Sequence, residues 1–325
     1  MFGTILRMRR VRLFLFGIFI ISLLLVGFIR YGSGQNYKLQ SPLPDFLTAA
    51  VNEQVSTIDL WQPLFDFIAG NSNEIPEVTA KSVLVYDLTE NKITYEKNST
   101  QRLPIASLTK VMTAIVALEN PKDNDRYKVL KENLVGENSM GLSEGEVLSL
   151  EELAYGLILS SGNDSSEVLA SNHTYSRENF IKAMNDKAKA LGLSDTNFTN
   201  PSGLEGDGNQ YSTAKDLLVI TRFALSSLPV FRKVVSTVSY RIPQTSSHKE
   251  FYLENETNLL TSYPGVKGVK TGYTDEAGLC LITYLDYKGH KIIGIILGSD
   301  NRRQEMKDLL DYSLKSLGAE PPEHS

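Results

Sequence analysis

The segments with strand character lie toward the two ends of the chain, and the segments with helical character lie between them. Near the start, residues 81–88 and 92–96 are two β-type runs joined by a three-residue turn, which is typical of a hairpin. Strand patterns return at residues 266–273, 278–286 and 290–297. This order predicts an α+β fold, an antiparallel sheet flanked by helices and split in sequence by an inserted all-helical subdomain.

The middle of the chain carries helical periodicity and helix-start signals. Residues 107–118 have an apolar stripe on one face, which predicts a helix beginning near Ser107. Ser149 and Glu152 match a capping box that opens a second helix. The same periodicity predicts further helices over residues 176–191, 212–225 and 301–317. With 325 residues, 42% of them hydrophobic, the chain can bury a substantial core.

An apolar run at the N-terminus predicts the compartment. Four arginines precede the uncharged residues 13–29, which Arg30 closes. As a helix this run is about 25 Å long, slightly short of the hydrocarbon core of a bilayer. It exceeds the apolar region of a typical cleaved signal, and no Ala-x-Ala site follows. We expect a retained single-pass anchor with its basic tip in the cytoplasm and the rest of the chain outside. A cleaved signal ending near Gly32 is the alternative.

Turn-forming residues and charge indicate the remaining domain organisation of the chain. We expect residues 1–30 to form the basic tip and anchor, 31–75 a stalk or linker, 76–318 the main folded domain and 319–325 a tail. A net charge of −5 argues against nucleic-acid binding. Cys280 is the only cysteine and the four histidines are scattered, so we expect no metal and no organic cofactor.

The candidate nucleophile is Ser107, in the run Ser107-Leu108-Thr109-Lys110. Residues three apart at a helix start share one face, so the Lys110 side chain can reach the Ser107 hydroxyl. A neutral lysine can take the serine proton if burial or a nearby cation lowers its pKa. Ser-x-x-Lys alone is a weak signal, and a second copy begins at Ser212. That copy is better interpreted as a helix N-cap followed by a solvated lysine.

Two further triplets distinguish the first copy. Ser161-Gly162-Asn163 falls between two predicted helices, and Lys270-Thr271-Gly272 falls in the first returning strand. The order Ser-x-x-Lys, Ser-x-Asn, Lys-Thr-Gly is the motif combination of penicillin-recognising enzymes. A literal Ser299-Asp300-Asn301 follows the third motif, and its place before the last helix favours an N-cap on Ser299 or Asp300.

These motifs, with Asn200-Pro201-Ser202-Gly203-Leu204 and residues 263–274, make the chain resemble the serine-type D-Ala-D-Ala carboxypeptidases, which are low-molecular-mass penicillin-binding proteins. The resemblance covers roughly residues 76–318. It implies a β-lactamase/transpeptidase-like fold and a role in bacterial cell-wall biogenesis and cell shape. It also implies peptidoglycan stem peptides ending in D-Ala-D-Ala as substrates, and β-lactams as covalent inhibitors.

The resemblance also implies roles for residues. Ser107 is expected to be acylated, Lys110 to act as its base, and Ser161 to pass the proton to the leaving D-alanine. Substrate binding is expected from Asn163, Lys270, Thr271 and Gly272. The backbone N–H groups of Ser107 and Tyr273 are expected to form the oxyanion hole.

Three positions depart from the pattern of the family. Gln210 stands where a histidine is frequent, Lys267 stands near an expected aspartate, and Asn255-Glu256-Thr257 replaces an Asn-x-Asn. A class A β-lactamase is disfavoured because no glutamate lies between Leu191 and Ser202. A D,D-endopeptidase, or a β-lactam sensor that acylates without turnover, remains an alternative.

Overall fold

The computed structural model describes residues 61–63, 75–174 and 176–324. These residues belong to one compact unit that begins at Leu60. The predicted anchor, residues 13–29, and nearly all of the predicted stalk lie outside the described residues. Among the described residues, no helix is both long enough and apolar enough to cross a membrane.

A five-stranded antiparallel sheet forms the centre of the domain, with the strand order β2-β1-β9-β8-β7. The strands of this sheet are β1 (Ser82–Asp87), β2 (Lys92–Lys97), β7 (Val266–Thr274), β8 (Gly278–Tyr287) and β9 (His290–Ser299). Two small two-stranded sheets contain β3 (Tyr127–Lys128) with β4 (Val147–Leu148), and β5 (Ser239–Ile242) with β6 (Phe251–Glu254). The predicted split sheet is therefore confirmed.

Strand β1 joins the N-terminal hairpin to the C-terminal strands. It pairs with β2 on one side and with β9 on the other, where Ser82 lies opposite Leu297. All six residues of β1 are buried, as expected for an inner strand covered on both faces. The hairpin turn includes Asn91 at φ 54°, a left-handed conformation that asparagine tolerates better than most residues.

Most of the helices lie between β2 and β7 in sequence. A 3₁₀ turn (Ala106–Thr109) leads directly into α1 (Lys110–Glu119), and a second 3₁₀ turn covers Lys131–Asn133. The others are α2 (Leu150–Ile158), α3 (Asn163–Ser171), α4 (Arg177–Ala190), α5 (Ala214–Ser227), α6 (Pro229–Val235), α7 (Leu259–Ser262) and α8 (Arg302–Ser316). The helical subdomain is thus an insertion between the hairpin and the last three strands.

Two apolar cores cover the opposite faces of the sheet. Alternate residues of a strand point to opposite faces, so Leu84 and Tyr86 of β1 enter one core while Val83 and Val85 enter the other. The first core includes the inserted helices. The second includes Met306 and other apolar residues of α8. The sheet is therefore clamped from both sides, which keeps its edge strand β7 in a fixed position beside the helical subdomain.

The helix starts agree with the sequence in part. The predicted capping box is present, since Ser149 Oγ accepts from the backbone N–H of Glu152 and the Glu152 carboxylate accepts from that of Ser149. At α5 the N-cap is Thr213 rather than Ser212. At α8 it is Asn301 rather than Ser299 or Asp300. In both cases the start is displaced along the chain because the preceding residues bond to other elements.

Candidate active site

The turn that carries Ser107 is held by close backbone packing. Ala106 has φ 48°, a left-handed conformation that costs energy for a residue with a Cβ. A Cβ on Gly203 would overlap the carbonyl of Ala106, and one on Gly272 would lie 3.0 Å from the backbone nitrogen of Ser107. Both glycines are therefore required for close approach. Gly203, with φ 89°, and Gly272 of β7 both pack closely against this turn.

The Lys110 ammonium nitrogen lies at the centre of the site and is fully buried. Nζ is 2.8 Å from Ser107 Oγ, 2.7 Å from Asn163 Oδ1 and 2.9 Å from the Ser202 carbonyl oxygen. Burial, and then the charge of Lys270, hold the pKa of Lys110 well below its ordinary value, although Glu256 acts in the opposite direction. The structure thus provides a lysine that favours its neutral form.

The Ser161-Gly162-Asn163 triplet joins α2 to α3 and faces Lys110. Ser161 has φ 52° and is buried, and its Oγ has no hydrogen-bond partner among the described residues. An orphaned buried hydroxyl is uncommon in a packed domain. Asp164 supports the triplet, because its carboxylate accepts from the backbone N–H groups of Met140 and Leu142.

Strand β7 supplies the other wall of the site. Lys270 is 1% exposed, and its Nζ donates to the Thr271 carbonyl at 3.0 Å. Burial lowers the pKa of Lys270 to about 8, against the influence of Glu256. Tyr273 follows Gly272 on β7 and its side chain is 59% exposed. The role of its backbone N–H in an oxyanion hole stays a prediction, as do the roles of the other site residues.

Four neighbours of the site were not singled out as functional residues from the sequence. The carbonyl of Ser202 accepts from Lys110. Arg302 of α8 donates through Nη1 to the carbonyl oxygens of Gly272 and Cys280. Gln210 donates to Thr109 Oγ1 at 3.1 Å and accepts from two backbone N–H groups of the 199–200 segment. The fourth is Glu256. Of these, Ser202 lies in a segment that carries the family resemblance, and Gln210 and Glu256 depart from the family pattern, so only Arg302 had no signal in the sequence.

The second Ser-x-x-Lys copy lies outside this constellation. Ser212 Oγ is 2.7 Å from Thr196 Oγ1, and the backbone of Ser212 pairs with Leu103. The literal Ser299-Asp300-Asn301 is also structural, since Ser299 Oγ donates to Glu305 at 2.7 Å. Both serines are thus held by groups outside the Lys110 site.

A groove of about 730 Å³ opens next to the site. Its lining includes Ser202, Leu204, Arg177 and Asn133. Within residues 61–63, 75–174 and 176–324, no three His, Cys, Asp or Glu side chains are grouped so that they could hold a metal ion.

A sheet edge that carries Lys-Thr-Gly beside a half-buried serine and a buried lysine is the site expected of the DD-peptidases and transpeptidases. The solved structures that share this fold with the chain include a transpeptidase and a penicillin-binding protein. The Streptomyces K15 DD-transpeptidase is 29% identical, with a TM-score of 0.69, over 74% of this chain and 98% of that one. Penicillin-binding protein D2 of Listeria monocytogenes, in its cefotaxime-bound form, is 29% identical, with a TM-score of 0.65, over 74% of this chain and 99% of that one.

The family described as D-alanyl-D-alanine carboxypeptidase matches residues 69–301. The carboxypeptidase DacF of Bacillus subtilis is 34% identical over 74% of this chain, and DacB2 of Mycobacterium tuberculosis is 36% identical over 65%. The chain spans 64% of the length of DacF and 72% of the length of DacB2. The chain belongs to the D-alanyl-D-alanine carboxypeptidase family, and the predicted fold and family are confirmed.

Proposed function

We propose that this protein is a serine D-Ala-D-Ala carboxypeptidase that removes the terminal D-alanine of peptidoglycan stem peptides. The observation that carries the proposal is the placement of Lys110 Nζ, fully buried and 2.8 Å from Ser107 Oγ. A base at hydrogen-bond distance from a hydroxyl is what nucleophilic catalysis by serine requires. The family membership of the chain supports the same activity.

In the proposed acylation step, neutral Lys110 accepts the proton of Ser107 while Oγ attacks the carbonyl carbon between the two D-alanines. The resulting oxyanion is stabilised by the backbone N–H groups of Ser107 and Tyr273. Breaking the C–N bond then requires a proton on the leaving amine. Ser161 can relay that proton from Lys110, because its buried Oγ is not engaged by another described residue. The step leaves an ester on Ser107 and free D-alanine.

Deacylation completes the proposed hydrolysis. Water attacks the ester carbonyl carbon and gives one proton to Lys110, and the returning proton restores the Ser107 hydroxyl. Asn163 keeps Lys110 oriented through both steps, since its Oδ1 accepts from Nζ at 2.7 Å. The Ser202 carbonyl provides a further fixed acceptor on the same amine. Lys110 therefore stays pointed at the reaction centre whichever intermediate is present.

The leaving D-alanine is proposed to bind along β7. Its carboxylate would be held by the ammonium of Lys270 and the hydroxyl of Thr271, and Gly272 would let the substrate backbone approach the strand. Arg302 adds a second positive charge behind β7, where it is tied to the carbonyl of Gly272. The groove beside Leu204 offers room for the acyl part of the stem peptide. β-Lactams are proposed to acylate Ser107 by entering the same site.

We further propose that the domain acts outside the bacterial cell membrane, held by residues 13–29 as a single-pass anchor. The proposal is supported by the length of this uncharged run and by the arginines that precede it. The substrate is also consistent with this location, since a stem-peptide hydrolase must face the cell wall.

The proposed activity is tested on the full chain in detergent, with a peptide that ends in D-Ala-D-Ala. We expect one free D-alanine to be released for each peptide cleaved, measured with a D-amino-acid oxidase assay. The matched control is Ser107→Ala, which keeps every other group of the site. Labelling by fluorescent penicillin without D-alanine release would instead favour a sensor. Cleavage of a cross-linked peptide dimer into its monomers, without release of terminal D-alanine, would favour an endopeptidase.

A further inference from the structure

Glu256 lies at the rim of the pocket proposed for the leaving group. It follows β6 in a loop whose first residues are tied to neighbouring segments: the backbone N–H of Glu256 donates to the Leu159 carbonyl at 3.2 Å, and Asn255 Nδ2 donates to the Thr237 carbonyl at 3.0 Å. Its Oε2 is 3.5 Å from Thr271 Oγ1. A cavity of about 40 Å³ between them is also lined by Arg302 and Arg303. A carboxylate of the protein therefore stands next to the hydroxyl proposed to bind a carboxylate of the substrate.

The charge of Glu256 acts on both lysines of the site. It raises the pKa of Lys270 against the lowering by burial, and it raises the pKa of Lys110 in the same way. It also acts on the Arg302 guanidinium. The side chain of Glu256 is exposed, so water screens these interactions in part. The pocket has more positively than negatively charged side chains, but Glu256 carries a charge of the same sign as a terminal carboxylate of the substrate.

We propose that Glu256 is a specificity-determining residue that weakens the preference of the leaving-group pocket for an anionic terminus and admits an uncharged, amidated one. The inference rests on the proposed function, because it concerns the leaving group of the same reaction. It extends the substrate class: peptides whose terminal D-residue carries a carboxamide are accepted beside those that carry a free carboxylate.

Two physical reasons support this assignment. The Thr271 hydroxyl has one proton to donate, so a substrate carboxylate competes with Glu256 for it. The incoming carboxylate must also approach a like charge, which opposes binding. A carboxamide does not carry that charge, and its NH₂ group can donate to the Glu256 oxygens. The same carboxylate of the protein is therefore unfavourable to one terminus and favourable to the other.

The test compares the full-length wild type with Glu256→Gln. Two peptides are used, identical except that one ends in D-Ala-D-Ala and the other in D-Ala-D-alaninamide. The measured quantity is the ratio of kcat/KM for the acid to kcat/KM for the amide. Measurement at pH 6 keeps Lys270 protonated, since its pKa is about 8. The ratio also cancels any change in Lys110 that affects both peptides equally.

We expect Glu256→Gln to raise this ratio by roughly three- to tenfold, as removal of one partly screened charge predicts. Glu254→Gln is the matched control, because Glu254 is exposed on β6 and also loses one negative charge. Glu256→Asp keeps the charge. Both controls should stay within about twofold of the wild type. An unchanged or lowered ratio in Glu256→Gln, or an equal rise in Glu254→Gln, overturns the inference.

A second measurement separates this inference from the proposed function. The rate of Ser107 acylation is measured with benzylpenicillin and with its methyl ester, which differ in the charge of one carboxyl group. The acid-to-ester ratio should rise in Glu256→Gln by a similar factor. If the wild type turns over the peptides and the ratios do not move, only the inference fails. If neither penicillin nor peptide acylates Ser107, the proposed function fails and the inference fails with it.

Discussion

The two Ser-x-x-Lys copies have the same spacing and opposite surroundings. In the first, Lys110 is fully buried and its Nζ is 2.8 Å from Ser107 Oγ. In the second, Ser212 Oγ is bonded to Thr196, and Lys215 is half-buried at the first turn of α5. Helix geometry allows the serine and lysine of both copies to lie on one face. Spacing therefore makes the pair possible but does not make it reactive.

The difference lies in what faces each pair. Lys110 meets Asn163 from α3, the Ser202 carbonyl from the loop before α5, and the field of Lys270 from β7. These groups come from distant parts of the sequence and exclude water from the amine. Ser212 of the second copy bonds to Thr196 and pairs through its backbone with Leu103, which ties the start of α5 to that segment. Reactivity is thus a property of the assembled fold, and the same Ser-x-x-Lys spacing provides structural support elsewhere in the chain.

Exchange of the two serines for alanine gives the largest contrast. Ser107→Ala removes the atom that forms the covalent bond, so labelling by fluorescent penicillin should fall by at least ~10³-fold. Ser212→Ala should leave labelling intact and cost about 1 kcal/mol of stability through the lost hydrogen bond with Thr196. Labelling is measured on gels, and the free energy of unfolding by urea titration. Loss of labelling in a folded Ser212→Ala protein would reverse the assignment of the nucleophile.

Replacement of each of the two lysines by methionine is expected to give a smaller but still large contrast in the rate of acylation. Lys110→Met removes the base and should lower the second-order rate constant of acylation by roughly 10²- to 10⁴-fold. Lys215→Met should change it by less than about threefold, because Lys215 lies half-buried at the first turn of α5, whereas the contacts to Ser107, Asn163 and Ser202 are made by Lys110. The second-order rate constants of acylation of both variants are measured by stopped flow. Equal losses in the two variants would show that Lys110 has no special position.

The pH profile gives the smallest effect. Because the pKa of Lys110 is lowered, the amine is neutral at moderate pH, and kcat/KM should fall about tenfold per pH unit only below that lowered pKa. Above pH about 8, Lys270 deprotonates and the binding of a substrate carboxylate weakens. The acid substrate should therefore give a bell-shaped profile, and Lys215→Met should give the same one. A profile without an acidic limb would argue against Lys110 as the base.

Periodicity and caps predicted the architecture well. The hairpin, the capping box at Ser149 and the three returning strands are present close to the predicted bounds. These features depend on neighbours in sequence, which is why they could be read locally. The motif order also singled out Ser107 over Ser212 without knowledge of any contact. The structure then brings Ser107, Lys110 and Asn163 together within hydrogen-bond distance.

What the sequence did not predict depends on distant partners. The left-handed Ala106 lies in a turn that packs closely against Gly203 and Gly272, and both glycines lie far along the chain. Thr213 caps α5 because the backbone of Ser212 is paired with Leu103. The proximity of Glu256 to Thr271 arises from the course of the loop after β6. No local pattern of residues encodes such contacts.

The split sheet also has a consequence for the order in which the protein acquires its chemistry. Ser82 of β1 pairs with Leu297 of β9, so the sheet closes only by bringing together segments from near the two ends of the described domain. Such closure is entropically costly and slow compared with local helix formation. During synthesis, the turn with Ser107 emerges long before β7 can press against it. A partly made chain would thus contain its nucleophile without an assembled centre, and it would stay inert until the last strands are in place.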